Sequence, residues 1–161
     1  MERHQIDLVD MKTEAVEFDG VIYRYILTLQ DIFSRYLWLR PLSRKKSSAV
    51  ASEISRIFRE HGPPKILQCD NGGEFKKCVI AAANSVGVKI IRSRAYHPQS
   101  QGKVEWSHRT LRDRIQFDLR GHGCNWVKNL YKYQSALNDD VKRELGGRSP
   151  FEVYFQRKSN F

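Results

Sequence analysis

Cysteine is scarce in this chain, and the little there is forms no framework. Cys69, Cys78 and Cys124 are three among 161 residues, and no two of them stand at Cys-x-x-Cys spacing. That usage excludes a disulfide-stapled scaffold and points to free thiols in a reducing compartment. The five histidines do not complete the cysteines into a zinc-finger pattern. Long apolar runs are missing too. The longest, Cys78-Val-Ile-Ala-Ala-Ala83, falls far short of the roughly 18 residues a membrane span needs. The opening residues Met1-Glu-Arg-His4 hold no apolar signal core. No internal repeat or low-complexity linker is present. Acid is the charge in short supply: 18 Asp and Glu stand against 28 Lys and Arg, a formal net charge of +10. With a pI near 9.7, such a chain attracts polyanions, nucleic acid among them, or simply presents a basic solvated surface.

What is there is a globular composition. The hydrophobic fraction is 40%, spread over a length that suits one domain with a sizeable core. Residues 3–11 alternate as a strand. Phe18-Asp19-Gly20 reads as a hairpin turn, followed by β-branched and aromatic strands over 21–29 and 35–42. The period then changes to that of a helix, with Val50, Ile54, Ile57 and Phe58 on one stripe. Ser47 is the expected N-cap, and Gly62-Pro63-Pro64 the stop. A short buried strand over 65–69, a helix over 75–86 ended by Gly87, and a strand over 88–91 follow. Residues 92–101 read as a loop. A long helix runs from about 102 to 119 with Leu111, Ile115 and Leu119 buried, then a helix over 125–145 and a short last one over 149–155. The order is β-β-β-α-β-α-β followed by helices: a mixed sheet with helices packed on it.

Three acids stand in recognisable settings. Asp7 lies in Gln5-Ile-Asp-Leu-Val-Asp10, and Asp70 in Leu67-Gln-Cys-Asp-Asn-Gly-Gly-Glu-Phe75. Glu105 closes His97-Pro-Gln-Ser-Gln-Gly-Lys-Val-Glu105, 105 − 70 = 35 positions after Asp70. Singly, each has an ordinary reading: a strand residue, an Asp-Asn-Gly turn, a surface helix residue paired with Arg109. Together, two strands and a helix deliver carboxylates to one point, as two-metal phosphoryl transfer requires. Gln101, Glu105, Arg109 and Arg112 share one face of the long helix, and its apolar stripe lies on another. That face reads as a metal ligand beside a phosphate track, with a salt-bridged surface helix as the plain alternative. His97 and His108 are not required as bases. Asp10, three positions beyond Asp7, points to the other side of its strand.

These motifs resemble the catalytic core of retroviral and gypsy-type retrotransposon integrases. The resemblance runs through Gln5-Ile-Asp-Leu-Val-Asp10, Asp31-Ile-Phe-Ser-Arg-Tyr36, Cys69-Asp-Asn-Gly-Gly-Glu-Phe75, Tyr96-His-Pro-Gln-Ser-Gln-Gly-Lys-Val-Glu105 and Gly147-Arg-Ser-Pro-Phe-Glu-Val-Tyr-Phe155. It extends to host genes domesticated from such elements, KRAB-A-domain proteins with an integrase-like region among them. It implies a ribonuclease-H-like fold, a five-stranded mixed sheet flanked by helices, with residues 1–161 as one core domain of a longer protein. It implies that Asp7, Asp70 and Glu105 are the catalytic residues and hold two Mg²⁺ (or Mn²⁺) ions. Gln101, Lys103, Arg109 and Arg112 are the implied DNA contacts, with residues 95–102 a mobile loop that orders around DNA. The implied activity is Mg²⁺-dependent 3′-end processing and strand transfer in the nucleus, by a homodimer with flanking domains. The alternative is a catalytically idle copy serving DNA binding or self-association. Trp126, Leu130, Tyr131 and Tyr133 are candidates for the dimer face. Trp106, directly after Glu105, departs from the small or basic residue expected there.

Overall fold

The computed structural model describes residues 2–92, 98–123 and 125–160, with side chains described outside 98–107 and 122. In chain order the elements are β1 (Arg3–Asp10), β2 (Val16–Phe18), β3 (Val21–Tyr23), β4 (Tyr25–Asp31), β5 (Leu37–Leu42), α1 (Ser47–His61), β6 (Ile66–Cys69), α2 (Cys78–Ser85), β7 (Lys89–Arg92), α3 (Pro98–His122), α4 (Trp126–Asp139) and α5 (Pro150–Phe155). Three-residue 3₁₀ turns occur at Lys12–Glu14, Gly73–Phe75 and Arg143–Leu145. The main sheet has five strands in the order β5-β4-β1-β6-β7. β5, β4 and β1 pair antiparallel, whereas β1, β6 and β7 pair parallel. This is the expected mixed, ribonuclease-H-like sheet.

Side-chain alternation divides the core between the two faces of that sheet. Ile6, Leu27, Leu29, Trp38 and Leu67 pack with Val50, Ile54 and Ile57 of α1 and Val79 of α2. Val9, Ile26, Leu37 and Leu39 pack on the opposite face with Leu111 and Ile115 of α3 and Trp126, Leu130, Tyr133 and Leu137 of α4. Helix α4 also protects the sheet edge. The Asn138 side chain accepts from the Leu37 N–H (2.8 Å) and donates to the Leu37 carbonyl (2.9 Å), and Gln134 accepts from the Leu39 N–H (2.8 Å). Backbone groups of β5 that would otherwise template another strand are thereby paired.

Several boundaries differ from expectation for identifiable reasons. Residues 21–29 form two strands because β3 leaves the sheet to pair with β2; Asp19 and Gly20 make their turn with φ of 50° and 75°. Ser47 is the first residue of α1 and caps nothing. Its hydroxyl instead donates to the Lys76 carbonyl and accepts from the Val79 N–H, tying the start of α1 to the turn after β6. The helix expected from residue 75 begins at Cys78, after the 3₁₀ turn Gly73–Phe75. Helix α3 begins at Pro98, so residues 98–102 of the expected loop are helical, and residues 95–97 lie outside the described residues. The helix expected over 125–145 stops at Asp139. Of the proposed dimer-face residues, Trp126, Leu130 and Tyr133 are buried on the sheet and only Tyr131 is exposed. Those three aromatic and aliphatic groups therefore complete the core and are not free for a partner.

Candidate active site

Asp7 shares its side of β1 with Val9, the face that α3 and α4 cover. Its partner across the antiparallel pair is Thr28. On the other side, β1 pairs parallel with β6 in the register Gln5↔Gln68. The pairing ends there and β6 ends at Cys69, so Asp70 follows directly on the strand next to β1, close enough for its charge to act on Asp7. The backbone has left the sheet by then, and Asp70 turns sharply: its Oδ1 accepts the Gly72 N–H at 2.7 Å. Asp7 Oδ1 accepts the Leu8 N–H at 2.8 Å. Burial raises the Asp7 carboxyl to about 6, against the pull of that hydrogen bond, and the charges of Asp70 and Glu74 push it in the same direction. The charge of Lys45 pulls the other way and does not offset them.

Gly72 shows how closely this turn is built. A Cβ there would stand 2.6 Å from Glu74 Oε2 and 2.8 Å from Asp70 Oδ1, so two carboxylate oxygens occupy the space a side chain would take. Glu74 is a buried acid beside Asp7 and Asp70 to which the motif reading gave no role. It is 8% exposed, and its Oε1 lies 3.2 Å from the half-exposed Lys45 ammonium. The available signal was Phe75 directly after it: a fully buried aromatic draws the preceding turn, and with it Glu74, into the structure.

Helix α3 carries the third predicted acid. Its backbone is helical through Glu105, while the side chains of Gln101, Lys103, Glu105 and Trp106 lie outside the described ones, as does His97. His108, one turn after Glu105, is described. Its Nε2 lies 3.0 Å from Thr28 Oγ1, which seats the helix over the strand partner of Asp7. Burial, assisted by Arg112, lowers the His108 imidazole to about 4. Arg109 and Arg112 are both exposed, and Arg112 Nη2 donates to the Asp10 carbonyl at 2.7 Å. Asp10 itself accepts the Lys12 N–H and lies exposed, apart from Asp7.

The donor set fits a hard divalent cation. It is all oxygen, with the Asp7 carboxyl raised by burial and acidic neighbours, and Gly72 leaving room for the carboxylates of Asp70 and Glu74. Among the described residues, no three His, Cys, Asp or Glu side chains stand where they would hold an ion. Asp7 and Asp70 could supply two ligands of a set whose third, Glu105, is outside the described side chains. The charge of Lys45 acts on Asp7, and its ammonium pairs with Glu74. Arg44, Lys45 and Lys46 precede α1, and Lys76 and Lys77 precede α2, the two groups being joined by the Ser47 hydroxyl. Cavities of about 460 Å³ between α3 and α4 and about 390 Å³ beside Phe33 and Tyr154 are lined by neither Asp7 nor Asp70. No described helix is long and apolar enough to cross a membrane.

Comparison with known proteins agrees with this architecture. The Integrase core domain family matches residues 2–98, a stretch holding Asp7 and Asp70 and ending before Glu105. KRAB-A domain-containing protein 2 of Homo sapiens is 34% identical over 161 residues, covering 98% of this chain and 32% of that protein. The retrovirus-related Pol polyprotein from transposon 412 of Drosophila melanogaster is 31% identical over 138 residues, 84% of this chain and 11% of the polyprotein. The chain thus spans about a third of the first relative's length and about a tenth of the second's. Among solved structures, the HTLV-2 integrase catalytic core domain in complex with magnesium aligns with a TM-score of 0.73 at 16% identity, over 95% of each chain. The catalytic core domain of BIV integrase aligns with a TM-score of 0.72 at 24% identity, over 96% of this chain and 94% of that one. A mixed five-stranded sheet with Asp7 beside Asp70, and a family match across the strands that carry both acids, lead to one statement: the chain belongs to the integrase core domain family.

Proposed function

We propose that this chain is the core of a divalent-metal-dependent polynucleotidyl transferase that cuts DNA near a 3′ end and joins that end to a second DNA. The observation that carries the reading is the β1–β6 register. It brings the strand that leads into Asp70 next to the strand that carries Asp7, and α3 runs through Glu105 one turn before the His108–Thr28 contact, which supports a shared site for the three acids. Asp7, Asp70 and Glu105 would hold Mg²⁺ or Mn²⁺. When bound, such ions lower the pKa of the attacking hydroxyl and stabilise charge on the departing oxygen. The remaining work belongs to the chain. Burial and acidic neighbours raise the Asp7 carboxyl by more than Lys45 offsets, so that a further cation would be drawn to it. Asp70 is fixed by its bond from the Gly72 N–H. Gln101, Lys103, Arg109 and Arg112 would hold the phosphate backbone along α3.

The HTLV-2 integrase catalytic core domain, solved in complex with magnesium in dimeric and trimeric forms, supports the same direction. We extend the proposal to a homodimer acting in the nucleus as one domain of a longer protein. A second reading, a domesticated module that binds DNA or itself without turnover, draws on the near full-length similarity to a protein named for a KRAB-A domain. One assay separates the two. With Mn²⁺ or Mg²⁺ and branched or end-mimicking DNA, the wild-type chain is expected to yield disintegration and strand-transfer products, and a folded Asp70→Asn chain none. Wild-type protein that binds DNA but yields no product with either metal would reject the enzyme and leave the module.

A further inference from the structure

His108 is the first residue of α3 whose side chain is described, and what it touches is polar. Its Nε2 lies 3.0 Å from Thr28 Oγ1. Thr28 is buried in β4, and its hydroxyl lies 3.3 Å from the backbone carbonyl oxygen of Asp7. A carbonyl oxygen only accepts, so that contact uses the single hydroxyl proton of Thr28. The contact with His108 is then satisfied only when Nε2 carries the hydrogen and donates it. A relay results, from His108 Nε2–H to the Thr28 hydroxyl and from that hydroxyl to the Asp7 carbonyl. It runs across three elements, α3 to β4 to β1.

The relay has a geometric consequence for the acids. The next anchors along α3 are Leu111 and Ile115, both fully buried in the apolar core, and Arg112, which bonds the Asp10 carbonyl one turn further from the acids through a long, flexible side chain. Apolar contacts are non-directional and tolerate small slides and rotations of a helix. A hydrogen bond with defined length and angle does not. His108 therefore sets the phase of α3 at its end nearest the acids. Glu105 stands three residues earlier, a neighbouring position on the same helix surface.

We propose that His108 is a positioning residue of the metal site: as the Nε2–H tautomer it pins α3 to Thr28 and thereby holds Glu105 in phase with Asp7. The inference rests on the reading of Glu105 as the third acid. It assigns His108 no proton transfer to substrate.

The test uses the whole 161-residue chain. Long-range ¹⁵N–¹H spectra of the imidazoles without metal are expected to show His108 as Nε2–H; the Nδ1–H tautomer overturns the proposal. Variants His108→Leu and Thr28→Val are then compared with His108→Gln, whose amide offers a donor at similar reach. Loss of a partner that orients a metal ligand typically costs ten- to a hundredfold. Mn²⁺ binding to the DNA-free chain is therefore expected to weaken about tenfold or more in the Leu and Val variants. In disintegration of branched DNA, kcat should fall by a similar factor with KM for DNA unchanged. His108→Gln should recover most of both. If His108→Leu binds Mn²⁺ as the wild type does, or if its losses follow a lowered melting temperature and Gln does not restore them, His108 is packing only and the proposal falls. If the wild-type chain itself shows no Mn²⁺ response, the metal site fails first and carries this inference down with it.

Discussion

The ammonium of Lys45 stands 3.2 Å from the carboxylate of Glu74, in the shell around Asp7. One partner is buried and the other half exposed, so the two are not equivalent. Removing the ammonium leaves Glu74 buried and uncompensated, whereas removing the carboxylate leaves a lysine that water can solvate. Lys45→Gln is expected to lower stability by about 1–2 kcal/mol, a full buried-pair penalty discounted for the solvent around Lys45. Adding Glu74→Gln should recover most of that loss. Urea unfolding at pH 7 of the two single variants and the double one measures it. Equal destabilisation by both single changes, with no recovery in the double variant, would show that the pair is not coupled.

Asp7 is predicted to oppose folding at neutral pH. Its carboxyl sits near 6 in the folded chain against an ordinary value of 3.8. Between those values the folded chain binds the proton more tightly than the unfolded one. Its contribution to stability is therefore fully present below about pH 4 and lost as pH rises through 6. The shift corresponds to about 1–3 kcal/mol. Asp7→Asn should raise the melting temperature at pH 7.5 and leave it nearly unchanged at pH 4. Mg²⁺ should raise the wild-type melting temperature at pH 7.5 and that of Asp7→Asn little. An Asn variant that melts lower at pH 7.5 would contradict the assignment.

Gly72 and Gly73 form a natural pair of variant and control. A Cβ on Gly72 would meet Glu74 Oε2 at 2.6 Å and Asp70 Oδ1 at 2.8 Å, while one on Gly73 would meet nothing within 4 Å. Gly72→Ala is expected to push the two carboxylates apart and weaken Mn²⁺ binding at least tenfold, at a stability cost of about 1–3 kcal/mol for overpacking. Gly73→Ala should leave Mn²⁺ binding within twofold. Calorimetric titration of both chains decides, and equal affinities would remove the cradle from the site.

Strong local patterns were legible before the fold was known. The stripe Val50, Ile54, Ile57 and Phe58 is buried as its spacing requires, and Gly62 ends α1 with a φ of 85°. Leu111 and Ile115 face the core. The motif reading singled out Asp7 and Asp70, and the charge of Asp70 is one of those that raise the Asp7 carboxyl. What stayed illegible depends on tertiary partners. Ser47 looks like a cap by type, yet its hydroxyl finds the Lys76 carbonyl, a partner 29 residues away. Trp126, Leu130 and Tyr133 looked like surplus apolar area because the second face of the sheet was not counted. Glu74 and Lys45 carry no motif, and only the folded turn brings them together.

His4 should govern part of the acid limb of stability. It is fully buried beside Trp38, with ring centroids 5.1 Å apart, and its Nε2 is 3.8 Å from Asp31. Burial lowers its imidazole to about 4, against an opposing pull from Asp31. The unfolded chain thus takes up a proton from about pH 6.5 downward that the folded chain refuses until about 4. Stability is present above 6.5 and lost as pH falls toward 4. His108 acts in the same direction, and Asp7 opposes both below about 6. In an Asp7→Asn background the fall should therefore be steeper than in the wild type, and adding His4→Gln should flatten it. Unfolding free energies at half-unit pH steps test this, and an unchanged slope on adding His4→Gln would refute it.

Arg109 and Arg112 were expected to act alike on DNA, and the structure separates them. Arg112 Nη2 is already spent on the Asp10 carbonyl at 2.7 Å, which fixes its guanidinium beside β1. Arg109 is exposed and makes no ion pair among the described residues. A cation free to follow the backbone releases one counterion per phosphate it meets, so its loss should lower the salt slope of binding by about 0.9. Arg109→Ala is expected to show that full change, with affinity weakened alike for every sequence. Arg112→Ala should show a smaller change in slope, together with a small loss of stability from the orphaned Asp10 carbonyl. The double variant should add the two effects within about 0.5 kcal/mol unless both arginines share one phosphate. Fluorescence anisotropy with a short duplex across a range of KCl concentrations measures the slopes. If neither variant moves affinity or slope, the face of α3 is a solvated surface, and the cations before α1 and α2 become the leading candidates for the DNA track.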